Sequence, residues 1–317
     1  MKKVIKYKNR EEWLQNRSMG IGASEAGTVL GLNPWETPYQ LWRRKKGIDP
    51  PKVENFAMKA GHYLEDAVSK FFEDEKHCYI IKASTDDFTI MNPEIPILRV
   101  SPDRTFWRAG ARHNDKEKSI LECKTTQMSI DPDNLPKHWF CQIQMNLGVA
   151  EYRDGALAWL TMGREFGCVD IDFDREFYDW MVGEITGFWD RYIVGGEEPP
   201  AYNAEDVLLK NPLHVKGKEV VATEEILEQL SELSTIKGDM GKLDERKKKI
   251  ENDLKMFFGD AECIVNEAGT VLATWKAPKA SKKFNEAKFA EDDPDLHGSY
   301  LEDYQGARRL LVKTAKG

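Results

Sequence analysis

The chain has 317 residues, of which 41% are hydrophobic, and its formal net charge is −8. It can hold one large domain, or a domain of about 200 residues with an appended module. No apolar run of about eighteen residues occurs and the basic N-terminus lacks an apolar segment, so we expect no transmembrane helix and no secretory signal. The five scattered cysteines favour a reducing, cytoplasmic compartment and argue against a zinc site. The acidic balance gives no overall nucleic-acid footprint.

The first two hundred residues have the pattern of one α/β domain. Three helices are predicted first, over 24–31, 37–47 and 54–75. Three strands follow, over 88–91, 97–107 and 119–125, and the polar loop between the last two indicates a hairpin. The domain then continues with a helix over 136–150, a strand pair over 156–161 and 168–173, and a long amphipathic helix over 174–194.

The composition changes after Pro200. Residues 223–257 are highly charged with apolar residues at helical spacing, which predicts a helical arm or a helical hairpin broken at Gly238 or Gly241. The next segment predicts two short strands around the turn Asn266–Gly269. We therefore expect a first domain over residues 1–204 and a C-terminal module, built from a helical arm and a β-hairpin, over residues 205–317.

The stretch ILECKTT, residues 120–126, carries two charges in an otherwise apolar strand. Side chains alternate between the faces of a strand, so Glu122 and Lys124 share one face while Leu121 and Cys123 point to the other and pack on the core. A buried ion pair is one explanation, although such pairs are weak evidence of stabilisation. A site for a divalent cation is the other, and it requires acidic partners elsewhere in the chain.

Two acidic residues are candidates to share a divalent cation with Glu122. Asp103 lies at the start of the preceding strand, and pairing of the two strands brings it close to Glu122. Glu65 shares a helical stripe with apolar residues, which points it inward, whereas Asp66 falls on the polar face of the same helix. A boundary glutamate that reaches solvent is the alternative for Glu65.

Two glutamines follow on the next helix. Gln144 lies beside Phe140 and Leu147, which favours Gln144 as the residue that faces the cleft. Gln142 falls on a more polar side, where it contacts DNA or solvent. The sequence leaves open which of the two glutamines faces the cleft.

Arg17 precedes a small-residue turn that opens a helix at Ser24. Exposed N–H groups at a helix N-terminus, a hydroxyl and a guanidinium form a phosphate-binding site. An N-cap serine with an unrelated surface arginine is the alternative. Trp35, Tyr39 and Trp42 lie nearby and are expected to belong to the core of the short helices, with contacts to DNA bases as the alternative. The basic run over residues 43–46 is expected to be a solvated face, with phosphate binding as the alternative.

Taken as a set, these motifs resemble the YqaJ-type viral recombinases, phage exonucleases related to lambda exonuclease. The similarity covers about residues 10–200 and runs through R-x-x-x-I-G-A-S-E, G-L-N-P-W-x-T-P, G-x-x-L-E, S-P-D, L-E-C-K-T and Q-I-Q-M. It implies an α/β fold of the PD-(D/E)xK type, in which a mixed central sheet is flanked by helices. The motif is represented here by Pro102-Asp103 and by Glu122-Cys123-Lys124.

The resemblance also implies a 5′→3′ exonuclease on the ends of linear double-stranded DNA, which leaves 3′ overhangs for a single-strand annealing recombinase. A homo-oligomeric ring such as a trimer is implied, in the cytoplasm of a bacterial host if a phage encodes the chain. The implied ligands of Mg²⁺, with Mn²⁺ as a substitute, are Glu65, Asp103 and Glu122. The resemblance implies that Lys124 assists the attacking water and that Gln144 supports the cleft. It also implies that Arg17 and Ser24 bind the 5′ phosphate, and Gln142 is expected to contact DNA.

Two other functions stay open. One is an endonuclease or another RecB-like nuclease with the same core, although the dispersed cysteines argue against the four-cysteine type. The other is a non-catalytic DNA-binding protein that kept the fold. The second is disfavoured because all four of Glu65, Asp103, Glu122 and Lys124 are present.

Overall fold

The computed structural model describes residues 2–50, 55–82, 88–114, 117–161, 164–303, 306 and 308–312. The chain divides into two compact units, Met1–Lys210 and Asn211–Gly317. Among the helices of these described residues, none is both long and apolar enough to cross a membrane.

The first unit contains two sheets and the helices that pack on them. Its strands are β1 (Lys3–Lys6), β2 (Ile21–Gly22), β3 (Tyr79–Lys82), β4 (Phe88–Met91), β5 (Leu98–Val100), β6 (Arg104–Trp107), β7 (Lys118–Thr126), β8 (Asp154–Thr161) and β9 (Glu165–Asp172). Its helices are α1 (Arg10–Ser18), α2 (Ala23–Val29), α3 (Pro38–Lys45), α4 (Phe56–Lys76), α5 (Lys137–Ala150), α6 (Arg175–Phe188) and α7 (Ala204–Lys210). A π-helix over Trp189–Val194 continues α6.

The larger sheet has the strand order β3-β6-β7-β8-β9. Strands β7 and β8 are parallel, and the other neighbours are antiparallel. Helix α5 provides the crossover that a parallel pair requires. The second sheet has the order β1-β4-β5-β2. The predicted α/β fold class, a mixed central sheet flanked by helices, is confirmed.

Apolar side chains pack on both faces of the larger sheet. On one face, Val68 and Phe72 of α4 pack against Leu121 and Cys123 of β7. On the other face, residues of α2, α3, α5 and α6 join Ile120 in a second apolar cluster. Strand β7 is therefore buried on both sides, which explains its nearly continuous apolar sequence.

The prediction of one strand over 97–107 is wrong. The chain forms β5 and β6 there, and these two strands belong to different sheets. Pro102 lies between them, and a proline has no N–H to donate to a strand ladder. The interruption leaves Asp103 immediately before β6, beside the strand that carries Glu122.

The helix starts follow their caps. Thr37 Oγ1 accepts a hydrogen bond from the Gln40 N–H, and Gln40 Oε1 accepts one from the Thr37 N–H, which forms the capping box of α3. Helix α4 begins at Phe56 after the cap residue Asn55. The predicted start of this helix, Glu54, lies outside the described residues.

The second unit contains α8 (Glu224–Phe258), β10 (Cys263–Val265), β11 (Val271–Thr274), α9 (Glu286–Asp292) and α10 (Pro294–Ser299). Helix α8 runs without interruption for 35 residues. Of the two predicted arrangements the helical arm is therefore right, and the hairpin broken at Gly238 or Gly241 is wrong. Strands β10 and β11 form the predicted hairpin, whose turn contains Gly269 at φ 79°, a conformation suited to a residue without a Cβ.

Candidate active site

A group of charged side chains lies where β6 begins beside β7. In the antiparallel register Arg104 pairs with Leu121, so the preceding residue, Asp103, comes next to Glu122. The Cys123 N–H donates a hydrogen bond of 2.9 Å to Asp103 Oδ2. The pairing of β6 with β7 and the interruption of the strand at Pro102 thus bring Asp103 to the E-x-K segment.

The carboxylate of Glu122 is fully buried and held by donors on both of its oxygens. Lys124 Nζ lies 2.8 Å from Glu122 Oε1 and 2.9 Å from Gln142 Oε1. Gln142 Nε2 also donates to Glu122 Oε1, and Asn146 Nδ2 donates to Glu122 Oε2 at 2.8 Å. These contacts fix the orientation of the carboxylate and of the lysine beside it.

Glu65 reaches the same group from α4. Its side chain is 18% exposed, whereas that of Asp66 is 58% exposed, so Glu65 is the inward acid that the helical stripe predicts. His62 Nδ1 lies 3.2 Å from Glu65 Oε1, and a guanidinium nitrogen of Arg104 lies 3.6 Å from Glu65 Oε2. Asp66 Oδ1 pairs instead with the other terminal guanidinium nitrogen of Arg104, Nη2, at 2.9 Å.

Burial and mutual repulsion dominate the electrostatics of these carboxylates. Burial, and then the charge of Asp103, raises the pKa of Glu65 to about 7 and that of Glu122 to about 8. For Lys124, burial alone lowers the pKa, but Glu122 and Asp103 outweigh it and the pKa is raised. Lys124 is therefore protonated at neutral pH, and one ammonium stands among three carboxyl groups.

In the part of the chain that the structure describes, no three or more His, Cys, Asp or Glu side chains already surround a common metal position. Contacts from Lys124 and two amides take up the oxygens of Glu122. The donor chemistry nevertheless fits a hard divalent cation, because Glu65, Asp103 and Glu122 supply only carboxylate oxygens. A bound cation also relieves the repulsion that raises the pKa of two of them.

The structure does not bring Gln144, which is predicted to support the cleft, to the carboxylates. Its fully buried side chain donates to the Asp172 carbonyl at 2.8 Å and accepts from the Asp174 N–H at 2.9 Å, so it joins α5 to the turn before α6. The apolar neighbours of Gln144 pack on α6, where the Phe140 and Phe177 rings are 5.1 Å apart. The apolar stripe therefore marked helix packing rather than the cleft.

Gln142 is the glutamine that contacts the carboxylates. Asn146, four residues further along α5, donates a hydrogen bond to the same carboxylate, that of Glu122. Sequence reasoning missed this asparagine. His138, four residues before Gln142, lies near enough to Lys124 that burial and then that charge lower the pKa of the histidine to about 4. The available signal was the polar series at i, i+4 and i+8 on a helix that is otherwise mostly apolar.

Arg17 and Ser24, the two residues of the predicted phosphate site, contact each other in the structure. A guanidinium nitrogen of Arg17 donates to Ser24 Oγ at 2.7 Å, and Ser24 is exposed. Behind them lies the buried Glu25, which sequence reasoning missed, with Lys45 at 2.8 Å and Arg44 at 3.0 Å. Burial raises the pKa of Glu25, but these two cations and Arg17 outweigh it and lower the pKa to about 2.

The expectation of a solvated face over residues 43–46 is wrong for its middle. The side chain of Lys45 is only 2% exposed and also donates to the Arg17 and Gly20 carbonyls. The expectation that Trp35 belongs to the core is also wrong, because its side chain is 73% exposed. Its ring meets His138 edge-on, with 5.2 Å between the centroids.

Known proteins are similar to this chain in sequence. The family model of the YqaJ-like viral recombinase domain matches residues 12–153, which include all of the predicted site residues. The protein named "Uncharacterized protein YqaJ" of Bacillus subtilis (strain 168) is 31% identical over 300 residues, or 91% of this chain and 90% of the relative. The chain belongs to the YqaJ-like viral recombinase family.

Solved structures with lower similarity accompany this family match. An alkaline exonuclease from Laribacter hongkongensis is 17% identical, with a TM-score of 0.47, over 63% of this chain and 96% of that one. A phage related exonuclease from Haemophilus somnus 129PT is 11% identical, with a TM-score of 0.41, over 58% of this chain and 100% of that one. Membership of the YqaJ-like family, together with the carboxylate and lysine cluster, supports a DNA nuclease.

Proposed function

We propose that this chain is a metal-dependent exonuclease that digests one strand of linear double-stranded DNA in the 5′→3′ direction and leaves a 3′ overhang. The observation that carries the proposal is the buried Glu122, held beside Lys124, Gln142 and Asn146 and close to Asp103. A family of viral recombinases requires this kind of single-stranded end for strand annealing. The reaction is hydrolysis of a phosphodiester bond.

The residues divide the work as follows. Glu65, Asp103 and Glu122 would hold Mg²⁺, or Mn²⁺ in its place, and the bound ion supplies Lewis-acid polarisation of the scissile phosphodiester. Lys124 stays protonated and donates a hydrogen bond that orients the attacking water. Gln142 holds the ammonium of Lys124 in place through its amide oxygen.

Direction comes from the second site. Arg17 and Ser24 present a guanidinium and a hydroxyl, the donors that suit a terminal phosphate. Behind this pair lie Arg44 and Lys45 with the carboxylates of Glu25 and Glu36. With Arg17 there are three cations and two carboxylates, which leaves one excess positive charge. A 5′-phosphate bound here would select the strand that is digested.

The wider assignment rests on the family resemblance. We propose a nuclease domain over residues 1–204 and a separate module over residues 205–317. The working form would be a homo-oligomeric ring such as a trimer, acting on DNA ends in the cytoplasm of a bacterial host together with a single-strand annealing recombinase.

The test of the reaction compares three substrates in Mg²⁺: a linear duplex with 5′ phosphates, the same duplex without them, and a closed circular duplex. We expect digestion of the linear substrates only, faster with the 5′ phosphate, and release of mononucleotides from the 5′ end. Cutting of the circle would make the protein an endonuclease. Absence of cleavage in both Mg²⁺ and Mn²⁺ would make it a DNA-binding protein.

The test of the site is Lys124→Ala, with Lys118→Ala at the other end of β7 as the matched control. We expect Lys124→Ala to abolish cleavage while binding of the linear duplex persists, and Lys118→Ala to keep activity. Binding of Mn²⁺, measured by titration calorimetry without DNA, should be lost in Asp103→Asn. Full activity of Lys124→Ala would remove the E-x-K strand from the mechanism.

A further inference from the structure

Helix α8 carries an apolar stripe that no described residue covers. Of its 35 residues only Phe258 is buried. The helix is roughly 50 Å long, and helices in proteins are stabilised mainly by packing of an apolar face. The largest side chains of the stripe remain 37–76% exposed, and they are Ile226, Leu230, Ile236, Met240, Leu243, Ile250, Leu254 and Phe257. A stripe of this extent is typical of an interaction surface.

The spacing of the stripe is that of a coiled coil. Apolar residues alternate at intervals of four and three, first through Ile226, Leu230 and Leu233 and then from Ile236 to Phe257. The two series are offset by a three-residue insertion, which locally overwinds a coiled coil without ending it. In the second series a lysine, Lys247, occupies one core position.

Part of the stripe is symmetric about Met240 when it is read in opposite directions, whereas Ile236, Leu243 and Phe257 fall opposite Asp244, Lys237 and Thr223. Ile226 and Leu254 are equally far from Met240 along the helix, and so are Leu230 and Ile250. Two copies of α8 laid antiparallel, with Met240 facing Met240, therefore place apolar residues opposite apolar residues near both ends. The same alignment sets Lys247 opposite Leu233, whereas a parallel pair would place Lys247 against Lys247 inside the core.

Charge favours the same direction. Residues 224–232 contain four glutamates and no lysine or arginine. A parallel pair would bring these two acidic segments together, and like charges side by side are destabilising. The antiparallel pair places the acidic segment beside residues 248–256, where Lys248, Lys249 and Lys255 outnumber Glu251 and Asp253. The helix dipoles are also opposed in that arrangement.

We propose that α8 is a self-association surface, which binds α8 of a second copy of this chain as an antiparallel coiled coil centred on Met240. The surface joins two chains through their second units, independently of the nuclease assignment. Its occupant is therefore a second copy rather than an unrelated helix.

Disulfide mapping tests the direction and the register. In the full chain with Cys263→Ser, we expect Leu230→Cys combined with Ile250→Cys to form disulfide-linked dimers under mild oxidation. Leu230→Cys alone and Ile250→Cys alone should not cross-link, because neither residue meets its own copy. The matched control is Glu228→Cys combined with Asn252→Cys, which has the same symmetry about Met240 but lies on the opposite face, and it should stay uncross-linked.

Mass in solution tests the surface itself. Sedimentation equilibrium over a concentration series should show that Leu230→Glu combined with Ile250→Glu halves the mass of the unchanged chain. Nuclease activity on a short linear duplex should persist. An unchanged chain that sediments as the 36.4 kDa monomer, an unaltered mass in the double variant, or cross-linking of the single-cysteine variants would each overturn the proposal.

Discussion

Two glutamates of the first unit are fully or almost fully buried beside a lysine, yet their pKa values move in opposite directions. The pKa of Glu25 falls to about 2, because Lys45, Arg17 and Arg44 outweigh the effect of burial. The pKa of Glu122 rises to about 8, because Asp103 adds its repulsion to burial and Lys124 does not offset both. Buried ion pairs can thus look alike in sequence and in contact distance while their surroundings differ in net charge.

The difference separates a structural role from a chemical one. Around Glu25 the cations are in excess, so the folded protein already stabilises the carboxylate. Around Glu122 the carboxylates are in excess, so the group is balanced only when another cation enters or a proton is taken up. Strongly raised pKa values of this kind cluster at functional sites. The comparison predicts that removing each charge will damage a different property.

Glu122→Gln should have the largest effect on activity. We expect cleavage of a 5′-phosphorylated linear duplex to fall by on the order of 10³-fold or more, as when a group that stabilises developing charge is removed. Stability should change by less than about 1 kcal/mol, because lost repulsion from Asp103 offsets weakened contacts with Lys124 and Asn146. Single-turnover cleavage and urea unfolding measure the two effects. A loss of several kcal/mol in stability would place Glu122 with Glu25 as a structural ion pair.

Glu25→Gln should instead damage stability. The substitution leaves Lys45 without its buried counter-charge, while Arg44 keeps its contact with Glu36, and breaking a buried ion pair costs about 3 kcal/mol or more. The measurement is the free energy of unfolding in urea at neutral pH. Glu198→Gln, at an exposed position that also contacts a lysine, is the matched control and should cost little. An unfolding free energy equal to that of the unchanged chain would contradict the structural role of Glu25.

The two glutamines of α5 sharpen the contrast within one helix. Gln142→Ala should lower the cleavage rate by about 10- to 100-fold, as for groups that orient ligands of a metal, with little loss of stability. Gln144→Ala leaves the Asp174 N–H without its partner and should cost roughly 1–3 kcal/mol in stability. Rates per folded enzyme and urea unfolding distinguish the two. If Gln144→Ala lowered the cleavage rate and Gln142→Ala lowered the stability, Gln144 would be the glutamine that supports the cleft.

The local motifs were predictable from sequence because each depends on a short stretch. Glu122 and Lys124 share a face by strand alternation, and the hairpin that follows Asp103 fixes the register. The choice between Gln142 and Gln144 was not predictable, because α5 crosses between two packed layers and is buried almost all round. In such a helix an apolar neighbourhood does not identify the face that meets the site.

Glu25 and its cations were hidden for a different reason. Lys45 lies twenty residues from Glu25, on another helix, and only tertiary packing brings the two together. A run of basic residues at a helix C-terminus is typical of a solvated face, so the sequence favoured that interpretation. The continuity of α8 was likewise undecided, because two glycines weaken a helix by only about 1 kcal/mol each.

The pH dependence of stability gives the smallest and most specific effect. The folded-state pKa of Glu25, about 2, lies below its ordinary value of 4.5, so its contribution is complete above about pH 4.5 and is lost as the pH falls towards 2. The advantage of the unchanged chain over Glu25→Gln should therefore narrow by about 1 kcal/mol between pH 7 and pH 4. Other carboxyl groups titrate equally in both proteins, so their contributions cancel in the difference between the two urea unfolding series. A difference that stays constant down to pH 3 would show that the cations around Glu25 do not set its pKa.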